Sequence, residues 1–396
     1  MLKMTYAQNT ITPDLTHPVY MAGFGANKTA TAVHDDLWVR VLALWLDGEQ
    51  PVVLVTVDVI GLSRLYCEQI EQRVILSSGV VCRVLVACSH THFGPDTIGL
   101  WGPSGTQTGL DEAYQQRLKD TIIHSCVAAL KDVPQPVRLR TTAVEVLGLA
   151  KNFRDPDITD EEATLLQFVG DGDSVLATLV IYPCHPEALD PSLTEISADY
   201  VYALRQHIEA QTGGAALFMA GSLGGMMSPA TTDRTHDGAA HMGEMLAAAC
   251  LQALDSTPAE PVTHLSYDRR LLTLPVQNPL YEMAVEMRLV PQPWTDSLVT
   301  ETGLIKIGPV WLVTIPGELL PKIGLALKAR MRAAGAGVAG VVCLANDELG
   351  YILPEEDFVF PDDYFHPSEQ YEESMSPGPQ SAPLLLAALE DLFQQN

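Results

Sequence analysis

The sequence predicts an α/β fold of the α+β kind, in which helices flank a mixed β-sheet core. Two observations lead to this prediction. Short apolar runs of β-type composition alternate with amphipathic windows of helical period, and many of the apolar runs end abruptly in a polar residue. No repeat of solenoid length and no Ser/Gly linker divides the chain. We therefore expect residues 1–396 to form a single domain.

The elements follow from the apolar periodicity. Runs rich in Val, Leu and Ile predict strands at 39–46, 52–57, 81–88, 137–146, 163–169, 175–182, 215–219, 304–315 and 337–344. Windows with apolar residues three and four positions apart predict helices at 64–76, 111–130, 198–211, 236–254, 319–334 and 382–393.

The charge excludes two classes of partner. The chain has 23 Lys and Arg against 49 Asp and Glu, which gives a net charge of −26. Such a surface repels the phosphates of nucleic acids and anionic membrane surfaces. Hydrophobic residues make up 47% of the chain, which is ordinary for a folded protein and argues against disorder.

The sequence predicts a cytoplasmic protein with no transmembrane segment. Residues 1–9 contain no apolar segment of the kind found in secretory signals. Residues 213–229 are uncharged, but they contain five glycines and end at a proline, so we expect a buried strand and a loop there. The seven cysteines are odd in number and form no C-x-x-C pair, which argues for buried thiols in a reducing compartment.

Five of the predicted strands lead into residues with chemically useful side chains. In open α/β sheets, ligands bind at the carboxyl ends of strands, so these ends predict one common site. The residues are Asp58, then His90 and His92, then His185, then Glu318, and finally Asn346, Asp347 and Tyr351.

The segment after the third predicted strand contains the pair His90-Thr91-His92. If the strand alternation continues, Cys88, His90 and His92 lie on one face, and both imidazoles approach one centre. A neutral imidazole binds zinc, and a second one nearby can transfer protons. The pair could equally be two hydrogen-bonded histidines at a turn.

His185 and Glu318 are candidate partners for this pair. His185 follows a strand and is flanked by Pro183 and Pro186, which fix its backbone. It could instead be a loop histidine bonded to a carbonyl. Glu318 follows a continuously apolar run, and its alternative role is to cap the helix that begins near Leu319. Two histidines and a carboxylate with an open position are a known catalytic zinc arrangement.

Two other segments are candidates for substrate binding. Residues 220–229 match neither the G-x-S-x-G motif nor a P-loop, so they form either a tight turn or a substrate loop with Ser228 pointing inward. Trp101, in the loop after the histidines, and Met226 could line an apolar acyl pocket, or could merely pack their loops down.

Taken together, the motifs resemble the neutral/alkaline, non-lysosomal ceramidase family over roughly residues 20–380. Several motifs occur in one order, and this order makes the resemblance specific. They are Met21-Ala22-Gly23-Phe24-Gly25, 32–37 with Arg40, Asp58, Ser89-His90-Thr91-His92-Phe93-Gly94-Pro95, His185, 222–229, Pro316-Gly317-Glu318, 346–352 and Tyr371-Glu372-Glu373-Ser374-Met375.

The resemblance implies a zinc-dependent hydrolase that cleaves an N-acyl bond. Zinc would be held by His90, His185, Glu318 and Tyr351, and a metal-bound water would attack the amide carbonyl. The substrate would be a small-molecule or lipid-like N-acyl compound, which suggests a role in lipid metabolism. Secreted ceramidases carry a further C-terminal β-sandwich domain, and we expect this chain to be a short member without it.

The resemblance also implies roles for residues around the metal. His92 would relay protons, Tyr371 would hydrogen-bond the carbonyl oxygen, and Arg154 would contact the site. Ser228 matches a pocket serine in position, and Asp58 could either orient a ligand histidine or cap backbone amides. The alternatives are a metal-dependent esterase or lactonase on the same fold, or a non-catalytic metal-binding member of the family.

Overall fold

The computed structural model describes residues 1–291 and 296–394. The strands of this part of the chain are β1 (Lys3–Thr10), β2 (Ala32–Val33), β3 (Trp38–Trp45), β4 (Val52–Val57), β5 (Arg83–Cys88), β6 (Gln135–Pro136), β7 (Arg138–Glu145), β8 (Ala150–Asn152), β9 (Glu162–Val169), β10 (Val175–Tyr182), β11 (Glu195–Ile196), β12 (Ala215–Ala220), β13 (Met227–Pro229), β14 (Leu265–Pro275), β15 (Ser297–Ile307), β16 (Val310–Thr314), β17 (Glu318–Leu319), β18 (Val338–Val342) and β19 (Tyr351–Ile352). The helices are α1 (Arg64–Ser78), α2 (Glu112–Lys131), α3 (Tyr200–Thr212), α4 (His236–Asp255), α5 (Pro279–Glu286), α6 (Pro321–Ala333), α7 (Tyr371–Ser374) and α8 (Ser381–Gln394).

Three mixed sheets form the frame of the molecule. Their strand orders are β5-β4-β3-β1-β6, β12-β10-β9-β7 and β14-β15-β16-β18. Each sheet contains one parallel pair, namely β4 with β5, β10 with β12, and β16 with β18, while its other pairs are antiparallel. The predicted α/β class with a mixed-sheet core is confirmed.

The core has an inner part between the sheets and an outer part beneath the helices. Side chains from all three sheets, such as Leu54, Leu179 and Leu312, form one buried cluster with no helical member. A second cluster joins the other sheet faces to helices, for example Val55 to Ile122 of α2. Central strands such as β4 and β10 are therefore buried on both faces, which explains their continuous apolar runs.

The parallel pairs bring their carboxyl ends to one place. The amide of Cys88, at the end of β5, donates to the carbonyl of Leu344 at 3.3 Å. The amide of Cys343 donates to the carbonyl of Ala220, at the end of β12, at 2.9 Å. β18 ends at Val342, immediately before Cys343 and Leu344. These hydrogen bonds therefore join the end of β18 to strand ends in both other sheets. The predicted meeting of strand ends follows from these bonds.

Some predicted elements need correction. The run 304–315 is not one strand: β15 and β16 form a hairpin in which Gly308 adopts a φ of +58°. Glycine and proline at the turn divide the apolar run into two strands, and apolar periodicity alone does not show this division. The helix predicted at 319–334 begins at Pro321, because Glu318 and Leu319 belong to β17. The prediction also missed β1, β14 and α5.

The membrane prediction can be compared with the described residues. Residues 213–229 contain β12, a loop and β13, as expected from the glycines. Within 1–291 and 296–394, no helix combines the length and the apolar character needed to cross a bilayer.

Candidate functional site

Three buried imidazoles converge at the strand ends. His90 and His92 follow β5, and His185 follows β10. The ring centroids lie 5.0 Å apart for His90 and His92, 5.1 Å for His90 and His185, and 5.5 Å for His92 and His185. One nitrogen from each ring lies within 4.8 Å of the others, so this group could hold a metal ion.

A turn, not an extended strand, brings His90 and His92 together. β5 ends at Cys88, and His90 adopts a φ of +69°, a backbone angle that residues other than glycine rarely adopt. The expected continuation of the strand alternation through His92 is therefore wrong. The His90 amide donates to the carbonyl of Val59 at 3.1 Å, so the turn is fixed to the chain leaving β4. Backbone strain of this kind is common at ligand sites.

The Nδ1 atoms of two of the rings are anchored to the backbone. His90 Nδ1 lies 2.6 Å from the carbonyl oxygen of Ile60, and His185 Nδ1 lies 3.0 Å from that of Met227. Because a carbonyl only accepts, each Nδ1 donates a proton, and each neutral ring presents an unprotonated Nε2. Metal-binding histidines in proteins are commonly oriented in this way.

Both free Nε2 atoms face one carboxylate. Glu318 Oε2 lies 2.9 Å from His185 Nε2, and Glu318 Oε1 lies 3.6 Å from His90 Nε2. Burial raises the pKa of Glu318, but the His90 and His185 rings, when protonated, hold that pKa well below its usual range, and Glu318 in turn raises the pKa of His185 to about 9 against the effect of burial. Lone pairs on two imidazoles and a carboxylate are favourable together only with a cation or an added proton between them. This donor set fits zinc.

Glu318 and Tyr351 are neighbours in a two-stranded sheet. They form a register pair in the parallel ladder of β17 and β19, and the Glu318 amide donates to the carbonyl of Gly350 at 2.9 Å. Glu318 does not cap α6, whose N-cap is Leu320 without a side-chain cap. The Tyr351 hydroxyl lies 3.3 Å from the sulfur of Met226. Tyr351 therefore lies beside the carboxylate that the two imidazoles face.

His92 differs from the other two histidines. It is 8% exposed, yet neither of its ring nitrogens has a hydrogen-bond partner among the described residues. Burial lowers the pKa of His92 well below its usual range, and the His90 and His185 rings lower it further. His92 is therefore neutral, with one nitrogen able to accept a proton and one able to donate.

A carboxylate that the sequence analysis missed lies behind His92. Glu187 Oε2 is 3.5 Å from His92 Nδ1, and the Ser228 hydroxyl donates to Glu187 Oε1. Ser228 is therefore joined to the site through Glu187 and is not among the residues that line the cleft. The position of Glu187, two residues after His185, is the only signal in the sequence that could have identified it.

Arg154 and Tyr371 belong to the same local structure. Arg154 Nη1 pairs with Glu372 Oε2 at 2.8 Å, and Nη2 pairs with Glu373 Oε1 at 2.7 Å. Both glutamates are on α7, which begins with Tyr371. Tyr371 lines the cleft and is 45% exposed, with its ring centroid 6.1 Å from that of Tyr351. Arg154 thus fixes the helix that bears Tyr371 and does not itself line the cleft.

Asp58 has a structural role. Its carboxylate forms a two-point ion pair with Arg205, at 2.9 and 2.8 Å, and accepts from the amide of Trp38. Both charged side chains are 1–2% exposed. The alternative in which Asp58 orients a ligand histidine is therefore wrong, since its oxygens are used by Arg205 and the backbone.

His90 and His92 line a cleft of about 380 Å³ with largely apolar walls. This size lies within the range of small-molecule sites. Trp101 lines the cleft, in agreement with the predicted alternative of an apolar pocket. Met226 instead packs against Tyr351 outside the cleft. The polar lining includes His90, His92, Glu318, Glu348, Tyr351 and Tyr371, and the apolar lining includes Ile98, Leu100, Met283, Leu289 and Phe365.

Comparison with known proteins supports the fold. No protein-family model matches the sequence, and no curated protein does so either. Among solved structures, a neutral ceramidase from Pseudomonas aeruginosa superposes with a TM-score of 0.81 at 18% identity, over 100% of this chain and 75% of that chain. A ceramidase complexed with C2 gives 0.79 at 18% identity, over 98% of this chain and 75% of that chain. The resemblance found in the sequence motifs is thus confirmed for the fold, which is that of the neutral ceramidases.

Proposed function

We propose that this protein is a zinc-dependent hydrolase that cleaves the amide bond of an N-acyl compound. The observation that supports this most directly is the set of inward-facing donors: three buried imidazoles within 4.8 Å, two of them anchored through Nδ1 and directed at Glu318. The fold shared with ceramidase structures supports the same reaction class.

The ligands would be His90, His185, Glu318 and Tyr351. His90 and His185 qualify because their Nδ1 protons are already bound to carbonyls, which leaves Nε2 for the ion. Glu318 lies against both, and Tyr351 is its register partner. Zinc supplies Lewis acidity, lowering the pKa of a water molecule from 15.7 to about 7.

The remaining residues would manage the protons and the developing charge. Hydrolysis forms a bond from a water oxygen to the acyl carbon and breaks the bond from that carbon to nitrogen. His92, whose ring nitrogens have no hydrogen-bond partner among the described residues, would accept a proton from the water and deliver it to the departing amine. Tyr371 would donate its hydroxyl proton to the carbonyl oxygen as negative charge develops there.

The apolar walls of the cleft suit an acyl chain, which favours a lipid-like substrate. Trp101, Leu100 and Leu289 line the cleft together with His90 and His92. We further propose a cytoplasmic location. All seven cysteines lie in the described part of the chain, and each is buried as a free thiol, an arrangement typical of reducing compartments.

Metal analysis combined with hydrolysis assays tests this function. We expect about one zinc per chain, hydrolysis of a short N-acyl amine, loss of activity on chelation and its recovery when zinc is returned. Matched esters distinguish an amidase from an esterase or lactonase. Bound metal without hydrolysis of either series would refute the enzymatic proposal and favour a metal-binding protein.

A further inference from the structure

A second cavity lies between helix α1, the outer edge of β5 and strands β14 and β15. It holds about 310 Å³, and no described residue lines both this cavity and the cleft at the strand ends. β5 is the edge strand of its sheet, and side chains take the place of a neighbouring strand there. Glu71 Oε2 accepts the amide proton of Val84 at 2.9 Å, and Asn346 Oδ1 accepts that of Val86 at 2.7 Å. The cavity therefore has polar walls that are fixed to the backbone.

The ion pairs around this cavity leave opposite charges over. Arg64 pairs with Glu68 at 2.8 Å. Arg269 is shared by two carboxylates, since its Nη2 lies 2.6 Å from Glu71 Oε1 and its Nη1 lies 3.2 Å from Glu301 Oε1. The cavity is neutral as a whole, but the surplus positive and negative charges belong to different side chains. Its charged lining consists of Arg64, Glu68, Glu71, Arg83, Arg269 and Glu301.

Arg83 carries the surplus positive charge. Its guanidinium forms no hydrogen bond or ion pair with the described residues, and its Nε is shielded from solvent. Arg83 is the first residue of β5, so the sheet fixes its backbone. A partly buried guanidinium without an acceptor is costly, which indicates a ligand with an anionic acceptor. A carboxylate suits it best, because it accepts two parallel hydrogen bonds from arginine.

Glu301 has the free oxygen on the negative side. Its Oε1 accepts from Arg269 and, at 2.7 Å, from Asn346 Nδ2, whereas its Oε2 has no hydrogen-bond partner in the described chain. The side chain is 12% exposed. An ammonium group would give Oε2 a charge-assisted hydrogen bond. A dianion would be disfavoured, because the carboxylates of Glu68, Glu71 and Glu301 line the same small space.

We propose that this cavity binds a small zwitterion of the amino acid type, whose carboxylate pairs with Arg83 and whose ammonium group pairs with Glu301. A volume of about 310 Å³ is that of a small-molecule site. A ligand with only one of the two charges would leave one of the two side chains without a partner. The proposal is independent of the hydrolase function, because the cavity and the cleft share no described residue.

Isothermal titration calorimetry with matched compounds tests the proposal. The zwitterions are glycine, β-alanine, 4-aminobutyrate and 6-aminohexanoate, which differ in the separation of their charges. Each is compared with the acid that lacks its amino group, the amine that lacks its carboxylate and the dicarboxylate of similar length. We expect at least one zwitterion to bind about tenfold to a hundredfold more tightly than its three comparison compounds. No binding of any zwitterion at about 10 mM, or equal binding of a comparison compound, would refute the proposal.

Variants assign the binding to this cavity. Arg83→Gln should reduce the affinity of the zwitterion to that of the matched amine, and Glu301→Gln should reduce it to that of the matched acid. Arg73 is exposed on α1 and does not line the cavity, so Arg73→Gln makes the same chemical change elsewhere and keeps the wild-type affinity. Glu301 also holds Arg269 and Asn346, whereas Arg83 has no partner among the described residues to lose. Arg83→Gln therefore decides even if Glu301→Gln fails to fold, and unchanged binding in it would overturn the proposal.

Discussion

Gly23 packs directly against the ring of His92, and its substitution gives a sharp test of that histidine. A Cβ atom at Gly23 would lie 2.5 Å from Cγ and 2.7 Å from Nδ1 of His92. Contacts this short do not occur, so Gly23→Ala must displace the imidazole. The φ of Gly23 is +101°, which adds backbone strain of about 1–2 kcal/mol for an L-residue.

Gly25 provides the matched control. It lies in the same loop with a φ of +73°, but a Cβ atom there would meet nothing within 4 Å. Gly25→Ala therefore incurs a similar backbone cost without touching His92. The two variants should melt at comparable temperatures, lower than the wild type, if the collision at Gly23 is relieved by movement of the ring.

Their activities should differ far more than their stabilities. A misplaced proton-transfer group lowers turnover by roughly 10²-fold, so we expect that loss of kcat in Gly23→Ala and near wild-type kcat in Gly25→Ala. Zinc content should remain full in both, because the proposed ligands His90 and His185 are anchored to the backbone through Nδ1. Wild-type kcat in a folded Gly23→Ala would show that the position of His92 does not matter.

Three further predictions concern the ligands, the Arg154 ion pairs and a buried carboxyl. His185→Ala should lose bound zinc, whereas His92→Ala should keep it and lose roughly 10²–10⁴-fold in turnover; metal analysis with kinetics decides, and full metal in the first variant contradicts the ligand assignment. Arg154→Ala leaves two nearly buried glutamates without their cation and should lower the free energy of unfolding by about 3 kcal/mol, with metal content unchanged, as denaturant titration can check. Burial raises the pKa of Asp199 to about 6 against the bonds from backbone amides that lower it. The folded state then binds this proton more tightly than the unfolded chain does. The resulting contribution to the free energy of unfolding is fully present below pH about 3.9 and is lost as the pH rises through about 6. This change of about 3 kcal/mol should be absent in Asp199→Asn.

The apolar pattern predicted the buried strands well. The runs 52–57 and 175–182 coincide with β4 and β10, because strands in parallel pairs are buried on both faces and read as continuous apolar runs. β14 escaped prediction because it is an edge strand whose middle residues include Asp268, Arg269 and Arg270. Its place in the sheet depends on eleven register pairs with β15, which no local pattern reveals.

The site was predictable to the extent that its residues follow strands. His90, His92 and His185 converge because the carboxyl ends of strands from different sheets meet at one place, and Glu318 joins them through β17. The positions of Glu187 and Glu348 could not be predicted in this way. Both depend on contacts between segments distant in sequence, as with the Ser228 hydroxyl on Glu187 and the space left by Gly61 beside Glu348. The ligand and catalytic roles assigned from the resemblance stay predictions.

The pairing of β17 with β19 couples two of the proposed ligands in a way that affects how the protein matures. Glu318 and Tyr351 face the same side only in the observed register, since a shift of either strand by one residue would turn its side chain to the opposite face of the ladder. A molecule in which these short segments have not yet docked would lack both groups at once. Metal uptake would then report completed folding of the last third of the chain, and chains stalled before that step could be recognised by their failure to retain zinc.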